Sequence, residues 1–426
     1  MLNIAELHQH FLKSSSVCTD TRKITPNCIF FALKGENFNG NQFAKEAIEK
    51  GALLAVIDEE EYLLNKKTWL CDDVLKTLQE LATFHRNFLN IPIVGLTGSN
   101  GKTTTKELIH AVLSEKYNCI ATQGNLNNHI GVPLTLLSMN ANTEIGVVEM
   151  GANHLGEIEL LANIAQPNFG YITNFGKAHL EGFGSLEGVI KGKTELFQYL
   201  KYHNQYVFIN GEDTKQVALS EGMQRILFND MDSSIQIQLK DASNQLKVIF
   251  ENTEITTQLI GAYNFSNIAA AIAVGHYFNV PTSNIKKALE GYIPQMNRSQ
   301  IIEKSTHKII LDAYNANPTS MMAALINFKN VEGKNKILIL GDMFELGPEA
   351  TYEHQNIVNF IEENPFAETF LVGKNFYGTN VRSKRIHKFE TFEAYRDYLL
   401  QNPITNQFIL IKGSRGMALE RILNVL

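Results

Sequence analysis

Ile93-Val94-Gly95-Leu96-Thr97-Gly98-Ser99-Asn100-Gly101-Lys102-Thr103-Thr104 reads as a buried strand, a glycine-containing turn and the start of a helix predicted through Tyr117. That context suits phosphate. Glycines let backbone N–H groups converge, a helix start favours anions, and a lysine can reach the outer phosphates while Thr103 holds Mg²⁺ through its hydroxyl. The spacing departs from the common phosphate loop, since Leu96 stands five before Gly101 and the glycines fall at Gly95 and Gly98. A chance turn with one lysine is the alternative, and the flanking strand and helix count against it. Gly98, Ser99, Asn100, Gly101, Lys102, Thr103 and Thr104 are therefore expected around ATP. The apolar run Ile145 to Met150 ends in Glu149-Met150-Gly151. A carboxylate there sits at the carboxyl end of a strand, where α/β sheets bind ligands, and offers Mg²⁺ the oxygen it prefers; a solvent-facing glutamate is the plainer reading. A phosphate loop alone does not choose among kinase, switch, motor and ligase.

Positioning these groups needs more than one core, because 426 residues imply two or three domains. With 44% hydrophobic and 19% charged residues the chain is globular, and a net charge of −6 argues against a nucleic-acid binder. Met1 to Ser16 carries His8, His10 and Lys13, so it lacks the apolar stretch of a secretory signal, and no run of about 18 apolar residues suggests a spanning helix. A cytoplasmic protein without membrane insertion is expected, and a monomer is the default. The cysteines, Cys18, Cys28, Cys71 and Cys119, form no C-x-x-C pair and read as small buried or idle thiols.

Short apolar runs at Cys28 to Leu33 and Leu53 to Ile57, with a helix over Phe43 to Lys50, make a small α/β unit. After the polar, helical stretch Asp72 to Asn90, strands at Ile93 to Leu96, Ile145 to Met150 and Tyr171 to Thr173 alternate with helical patterns that include Asn267 to Tyr277, as in a parallel α/β layer. Val207 to Ile209 and the polar segment Ile235 to Leu259 break the rhythm and suggest an antiparallel annex. Beyond Pro294, strands at Ile309 to Leu311, Ile337 to Leu340, Phe370 to Val372 and Phe408 to Ile411 suggest a doubly wound domain. The expected fold class is α/β in three domains: a small N-terminal α/β unit over 1–76, a central phosphate-loop parallel-sheet domain over 77–297, and a C-terminal Rossmann-like domain over 298–426.

The phosphate loop and Glu149-Met150-Gly151, with Asn174-Phe175-Gly176-Lys177-Ala178-His179-Leu180-Glu181 and Asp312-Ala313-Tyr314-Asn315-Ala316-Asn317-Pro318, resemble the Mur ligases, in the family's order and over almost the whole chain. Gly124-Asn125-Leu126-Asn127-Asn128 with Gly131-Val132-Pro133, Gly341-Asp342-Met343-Phe344-Glu345-Leu346-Gly347 and Lys412-Gly413-Ser414-Arg415 are similar to one branch of that family. This branch joins D-alanyl-D-alanine to UDP-N-acetylmuramoyl-tripeptide during peptidoglycan precursor synthesis. The Asp-Asn-Pro-Arg selector of the branch adding the third peptide residue is absent. Rival readings are another such amide ligase, including the folylpolyglutamate synthases, and, in a different class, a phosphate-loop switch. The Tyr-Asn-Ala-Asn-Pro and Lys-Gly-Ser-Arg runs argue against the ligase rivals.

The resemblance implies an acyl-phosphate route with Lys102, Glu149, His179 and Lys193 as catalytic residues. It implies two Mg²⁺ ions, with Thr103 and Glu149 on the first, and His179 with a CO₂-derived carbamate on Lys193 at the second. Taken alone, His179 reads as structural and Lys193 as a surface lysine. Asn264 and Asn267 match the family's adenine region, though asparagines there could equally cap the helix that follows. Arg298 and Asp312 match positions that close on the nucleotide. Thr21 and Arg22, Asn127 and Asn128, Asn315, and Lys412, Ser414 and Arg415 are expected on the substrates, the last three on an anion at the start of a helical run, Gly416 to Leu423. A solvated turn is the alternative there. In the UDP-sugar segment, Gly35-Glu36-Asn37-Phe38-Asn39-Gly40-Asn41 departs from the family's Gly-x-x-x-Asp-Gly-His, with Asn in place of both Asp and His. That departure leaves the loop's individual contacts open.

Overall fold

The structure is a computed structural model that describes residues 4–294, 297–405 and 407–426. Its first sheet has four parallel strands in the order Val17–Cys18, Ile29–Phe31, Leu54–Ile57, Thr68–Leu70. Helix Ile4–Phe11 does not pack on this sheet alone, because His8 also meets His85 on the long helix Val74–Leu89. The long helix begins where the Asp73 carboxylate accepts the Lys76 N–H, and ends at Asn90 in a left-handed conformation. It runs unbroken through residue 76 and is tied to the central domain, with Arg86 donating to the Ala165 and Gln166 carbonyls.

The central sheet has six parallel strands, ordered Gln224–Phe228, Tyr206–Asn210, Phe169–Ile172, Ile93–Thr97, Ile145–Glu149, Cys119–Ala121. Ile93–Thr97 is buried along its whole length, which is why it reads as an unbroken apolar run rather than an alternating one. Helix Lys102–Ser114 covers one face and packs on helix Phe265–Tyr277. Their approach depends on Gly275, where an added Cβ would lie 2.4 Å from Val112 Cγ1.

The structure corrects the expected annex at Val207 to Ile209. Tyr206–Asn210 is a parallel strand of the main sheet, because helix Leu186–Tyr202 returns the chain beside Phe169–Ile172 as a crossover, and Val207, Phe208 and Ile209 are fully buried. The antiparallel annex holds only Ile237–Asp241, Lys247–Phe250 and Thr253–Thr256.

The last sheet runs Gln300–Lys304, His307–Asp312, Phe408–Lys412, Lys336–Gly341, Glu368–Val372, Ile386–Phe389. Its first pair is antiparallel and the others parallel. The helix expected over Gly416 to Leu423 is not formed. Two short 3-10 turns, Arg415–Met417 and Leu419–Asn424, replace it, because Ala418 at φ 46 interrupts the ladder while Leu419 plugs the space above Gly413. All four cysteines are free, and among the described residues no helix is long and apolar enough to cross a membrane.

Candidate active site

The turn after strand Ile93–Thr97 is strapped to the neighbouring strand's exit. Ser99 N and Asn100 N donate to the Asn174 carbonyl and side-chain oxygen at 3.0 Å each, while Thr173 Oγ1 and Asn174 Nδ2 donate to Asn100 O at 2.6 and 2.9 Å. Gly98, at φ +140, would place a Cβ 2.0 Å from Thr173 Oγ1, so this approach demands glycine. Gly101 similarly backs onto Asn267 Oδ1. Lys102 folds over the turn and donates to Gly98 O at 2.7 Å and Ser99 O at 3.2 Å. Burial draws its ammonium below the ordinary value, with Glu149 opposing.

Glu149 is 1% exposed. Its Oε1 accepts from Thr103 Oγ1 at 3.2 Å and Asn127 Nδ2 at 2.7 Å, whereas Oε2 is buried with no partner. A carboxylate oxygen left that way costs several kcal/mol unless a cation or donor reaches it. Oxygen donors from Thr103 and Glu149 fit a hard divalent cation in the Mg²⁺ class.

Asn267 takes a hydrogen bond from Thr105 Oγ1 at 3.0 Å and donates to Asn264 Oδ1, and Asn264 donates to Ile260 O. Neither side chain caps helix Phe265–Tyr277, which decides against the capping alternative. From the last domain, the Arg298 guanidinium lies 3.6 Å above the Tyr314 ring, with Nε buried and unpartnered. Asp312 accepts from Ser299 N and from Lys412 Nζ, the latter at 2.6 Å. Asn317 caps helix Pro318–Asn330 and reaches Asn100 Oδ1 at 2.7 Å, which joins the last domain to the phosphate loop.

His179 is left-handed at φ 53, a backbone state costing about 1–2 kcal/mol outside glycine, and its Nδ1 meets Glu345 Oε2 at 2.5 Å. Lys193 is fully buried, with its amine bonded to Ala152 O at 3.0 Å and lying 5.0 Å from the Phe183 ring. Burial, then the Lys102 charge, pulls its pKa well below the ordinary lysine value.

One cavity of about 680 Å³ gathers most of these groups. Ser99 to Thr104, Asn127, Asn128, Glu149, His179, Asn264, Asn267, Arg298, Asp312, Asn315 and Lys412 all line it. Gly98, Lys193, Ser414 and Arg415 do not, although Gly98 and Lys193 bond to lining residues. Ser414 is buried, with Oγ engaged by Phe344 N and Ala316 O, and Arg415 is exposed beside Glu420. Thr21 and Arg22 lie on the N-terminal domain away from this cavity, Arg22 paired with Asp20 at 2.8 Å. The departing asparagines are structural. Asn41 is fully buried and exchanges hydrogen bonds with Asp58, and Asn39 donates to Glu59.

Reading the sequence missed Asn174 as a strap, Asn317 as the bridge between domains, and Glu345. Asn317-Pro318 carries a helix-start signal that marks Asn317 as a cap, but nothing local announces a contact with another domain.

The phosphate loop, the buried Glu149 carboxylate and the last domain's Arg298 line one cavity, the arrangement of an enzyme that draws on a nucleoside triphosphate. Family models described as Mur ligase catalytic, middle and glutamate ligase domains match residues 13–86, 96–275 and 297–415. A UDP-N-acetylmuramoyl-tripeptide--D-alanyl-D-alanine ligase of Bacillus subtilis is 37% identical over 421 residues, covering 95% of this chain and 92% of that protein. A MurF structure from Acinetobacter baumannii superposes with a TM-score of 0.86 at 26% identity, covering 99% and 98% of the two chains. A MurF ligase from Thermotoga maritima in complex with ADP does so at 0.83 and 26%, covering 97% of each. The chain belongs to the Mur ligase family, as an ATP-dependent amide ligase that forms ADP and phosphate.

Proposed function

We infer that the chain joins the amine of D-alanyl-D-alanine to the terminal carboxylate of UDP-N-acetylmuramoyl-tripeptide, as a cytoplasmic step of peptidoglycan precursor synthesis. The observation that carries this reading is the single cavity in which the phosphate loop, the unpartnered Glu149 oxygen and the last domain's Arg298, Asp312 and Lys412 meet.

An ionised carboxylate is a poor electrophile. Its oxygen attacks the γ-phosphorus, ADP leaves, and the resulting acyl phosphate is open to the amine, which forms the amide as phosphate departs. Lys102 leaves the Gly98 and Ser99 carbonyls for the β and γ phosphates, and the loop amides hold the same oxygens. Thr103 and Glu149 would hold the first Mg²⁺, which when bound would offset charge on the phosphates. Asn267 braces Gly101 from behind, Asn264 holds Asn267, and Arg298 grips phosphate oxygens with its planar fork. Lys412 is held by Asp312 and presents a cation to the peptide's carboxylates, with Asn127, Asn128 and Asn315 lining the same cavity. Asn127 also fixes the Glu149 oxygen that faces Thr103. A dedicated base is unnecessary, because an α-amine with a pKa of about 7.7–8.0 is partly neutral already.

Lys193 fits carbamylation, since burial lowers its pKa and favours the free amine, which with one acceptor can add CO₂ and release a proton. Among the described residues no three His, Cys, Asp or Glu side chains converge, so a second ion would draw on His179, the carbamate and substrate oxygens. Thr21 and Arg22 remain on the N-terminal domain for the UDP end of the substrate. Oxygen-18 in the tripeptide's terminal carboxylate tests the route: one labelled oxygen should appear in the released phosphate, and unlabelled phosphate would exclude an acyl phosphate.

A further inference from the structure

The run Gly341 to Gly347 marks the chain's branch of the family yet contributes no residue to the ATP or substrate set above. Its loop is held from several sides. The Asp342 carboxylate accepts the Asn375 and Phe376 N–H groups at 2.9 Å each, Met343 N donates to His354 Nε2 at 3.0 Å, and Phe344 N donates to Ser414 Oγ at 2.9 Å. These bonds push out the next residue. Glu345 stands left-handed at φ 61, half-exposed, with its carboxylate 2.5 Å from His179 Nδ1 and its carbonyl accepting the Glu181 N–H at 3.1 Å. Two left-handed residues from different domains thus face one another, and a backbone that holds both needs a reason beyond packing.

We propose that Glu345 is a positioning residue: when the last domain closes, its carboxylate takes the Nδ1 side of His179 and fixes the imidazole so that the ring's other nitrogen serves the reaction centre. Ser414 then acts through the loop it pins, consistent with its burial away from the cavity. Closure and catalytic readiness become one event, because the orienting group arrives only with the domain that also brings Arg298, Asp312 and Lys412. The neighbouring contacts, Lys177 Nζ to Glu353 at 2.6 Å and Lys177 N to Thr319 Oγ1 at 3.0 Å, set the same docked arrangement without touching the imidazole.

The inference rests on His179 working at the reaction centre, and the test separates the two. Wild type, Glu345→Ala and Glu345→Gln are compared for kcat, for KM towards ATP, and for compaction in small-angle scattering with an ATP analogue and the UDP-tripeptide. Removing a group that orients a working histidine typically costs about 10–100-fold, so E345A should lose that factor in kcat, keep KM for ATP within about threefold, and compact less than wild type. E345Q, which keeps an acceptor oxygen, should recover part of both. The proposal is overturned if E345A keeps wild-type kcat and compaction, if its loss falls on KM alone, or if E345Q is no better than E345A. A wild-type chain that makes no dipeptide-extended product would instead sink the underlying reading.

Discussion

Among the described residues nothing donates to the second oxygen of the buried Glu149 carboxylate, and that predicts opposite responses from activity and stability. Glu149→Gln should lower kcat at least about a hundredfold, as losing a fixed partner of transferring phosphate does. Its thermal unfolding in EDTA should be no lower than wild type, because the amide oxygen still accepts from Thr103 and Asn127 while the buried carboxylate oxygen without a donor has been removed. A variant that unfolds early and loses activity in proportion would make Glu149 merely structural. At Lys193 the prediction concerns CO₂. Activity should fall in CO₂-depleted buffer and return with bicarbonate, and Lys193→Ala should be inactive whether bicarbonate is present or not; wild-type indifference to bicarbonate would remove the carbamate from the account. At this scale the phosphate loop was legible because its residues are contiguous, and the structure lines one cavity with Ser99 to Thr104. Lys193 was legible only through family resemblance, since its burial depends on how Phe183 and the more distant Ala152 pack around it. The structural work of Asn39 and Asn41 was hidden for the same reason: their partners, Asp58 and Glu59, lie a strand away.

Helix Val74–Leu89 ties the first domain to the second through a buried histidine pair, with His8 Nε2 3.0 Å from His85 Nδ1 and His85 Nε2 on the Met139 carbonyl. Burial first, and the neighbouring His85 second, pull His8 down to about 4, and burial lowers His85 as well. The folded chain therefore holds fewer protons than the unfolded chain between about 4 and the ordinary histidine value near 6.5, so stability falls as pH drops through that window. The melting temperature should decline from pH 7 to pH 5, and His8→Phe, set among Phe11, Phe84 and Phe88, should flatten the decline. An unchanged slope in the variant would place the acid sensitivity elsewhere. Where helices Lys102–Ser114 and Phe265–Tyr277 meet, Gly275→Ala should cost about 1–3 kcal/mol in denaturant unfolding because Val112 must move; a cost near zero would mean the pair can slide. Elements with continuous apolar runs were legible, and those decided by connection were not. Tyr206–Asn210 joined the main sheet because a helix carried it there, and the half-buried edge strand Gln300–Lys304 has no run to announce it.

Across the whole molecule, three α/β domains bring their chemistry to one cleft: the phosphate loop from the middle sheet, Arg298, Asp312 and Lys412 from the last, and a first domain fastened through helix Val74–Leu89. The described arrangement already joins the last two domains through Asn317 to Asn100, Lys177 to Glu353 and His179 to Glu345. The order of motifs along the chain foretold that three units would cooperate, whereas the contacts that join them could not be read locally, because each spans more than a hundred residues of sequence. The central claim is that ATP is spent only to link two particular partners. Phosphate release should be followed with purified protein, Mg²⁺, ATP and UDP-N-acetylmuramoyl-tripeptide, with and without D-alanyl-D-alanine, alongside mass spectrometry of the nucleotide product. The account predicts sustained release only when both partners are present, with the product gaining the dipeptide's mass; turnover without either partner, or a product that never gains the dipeptide, would contradict it.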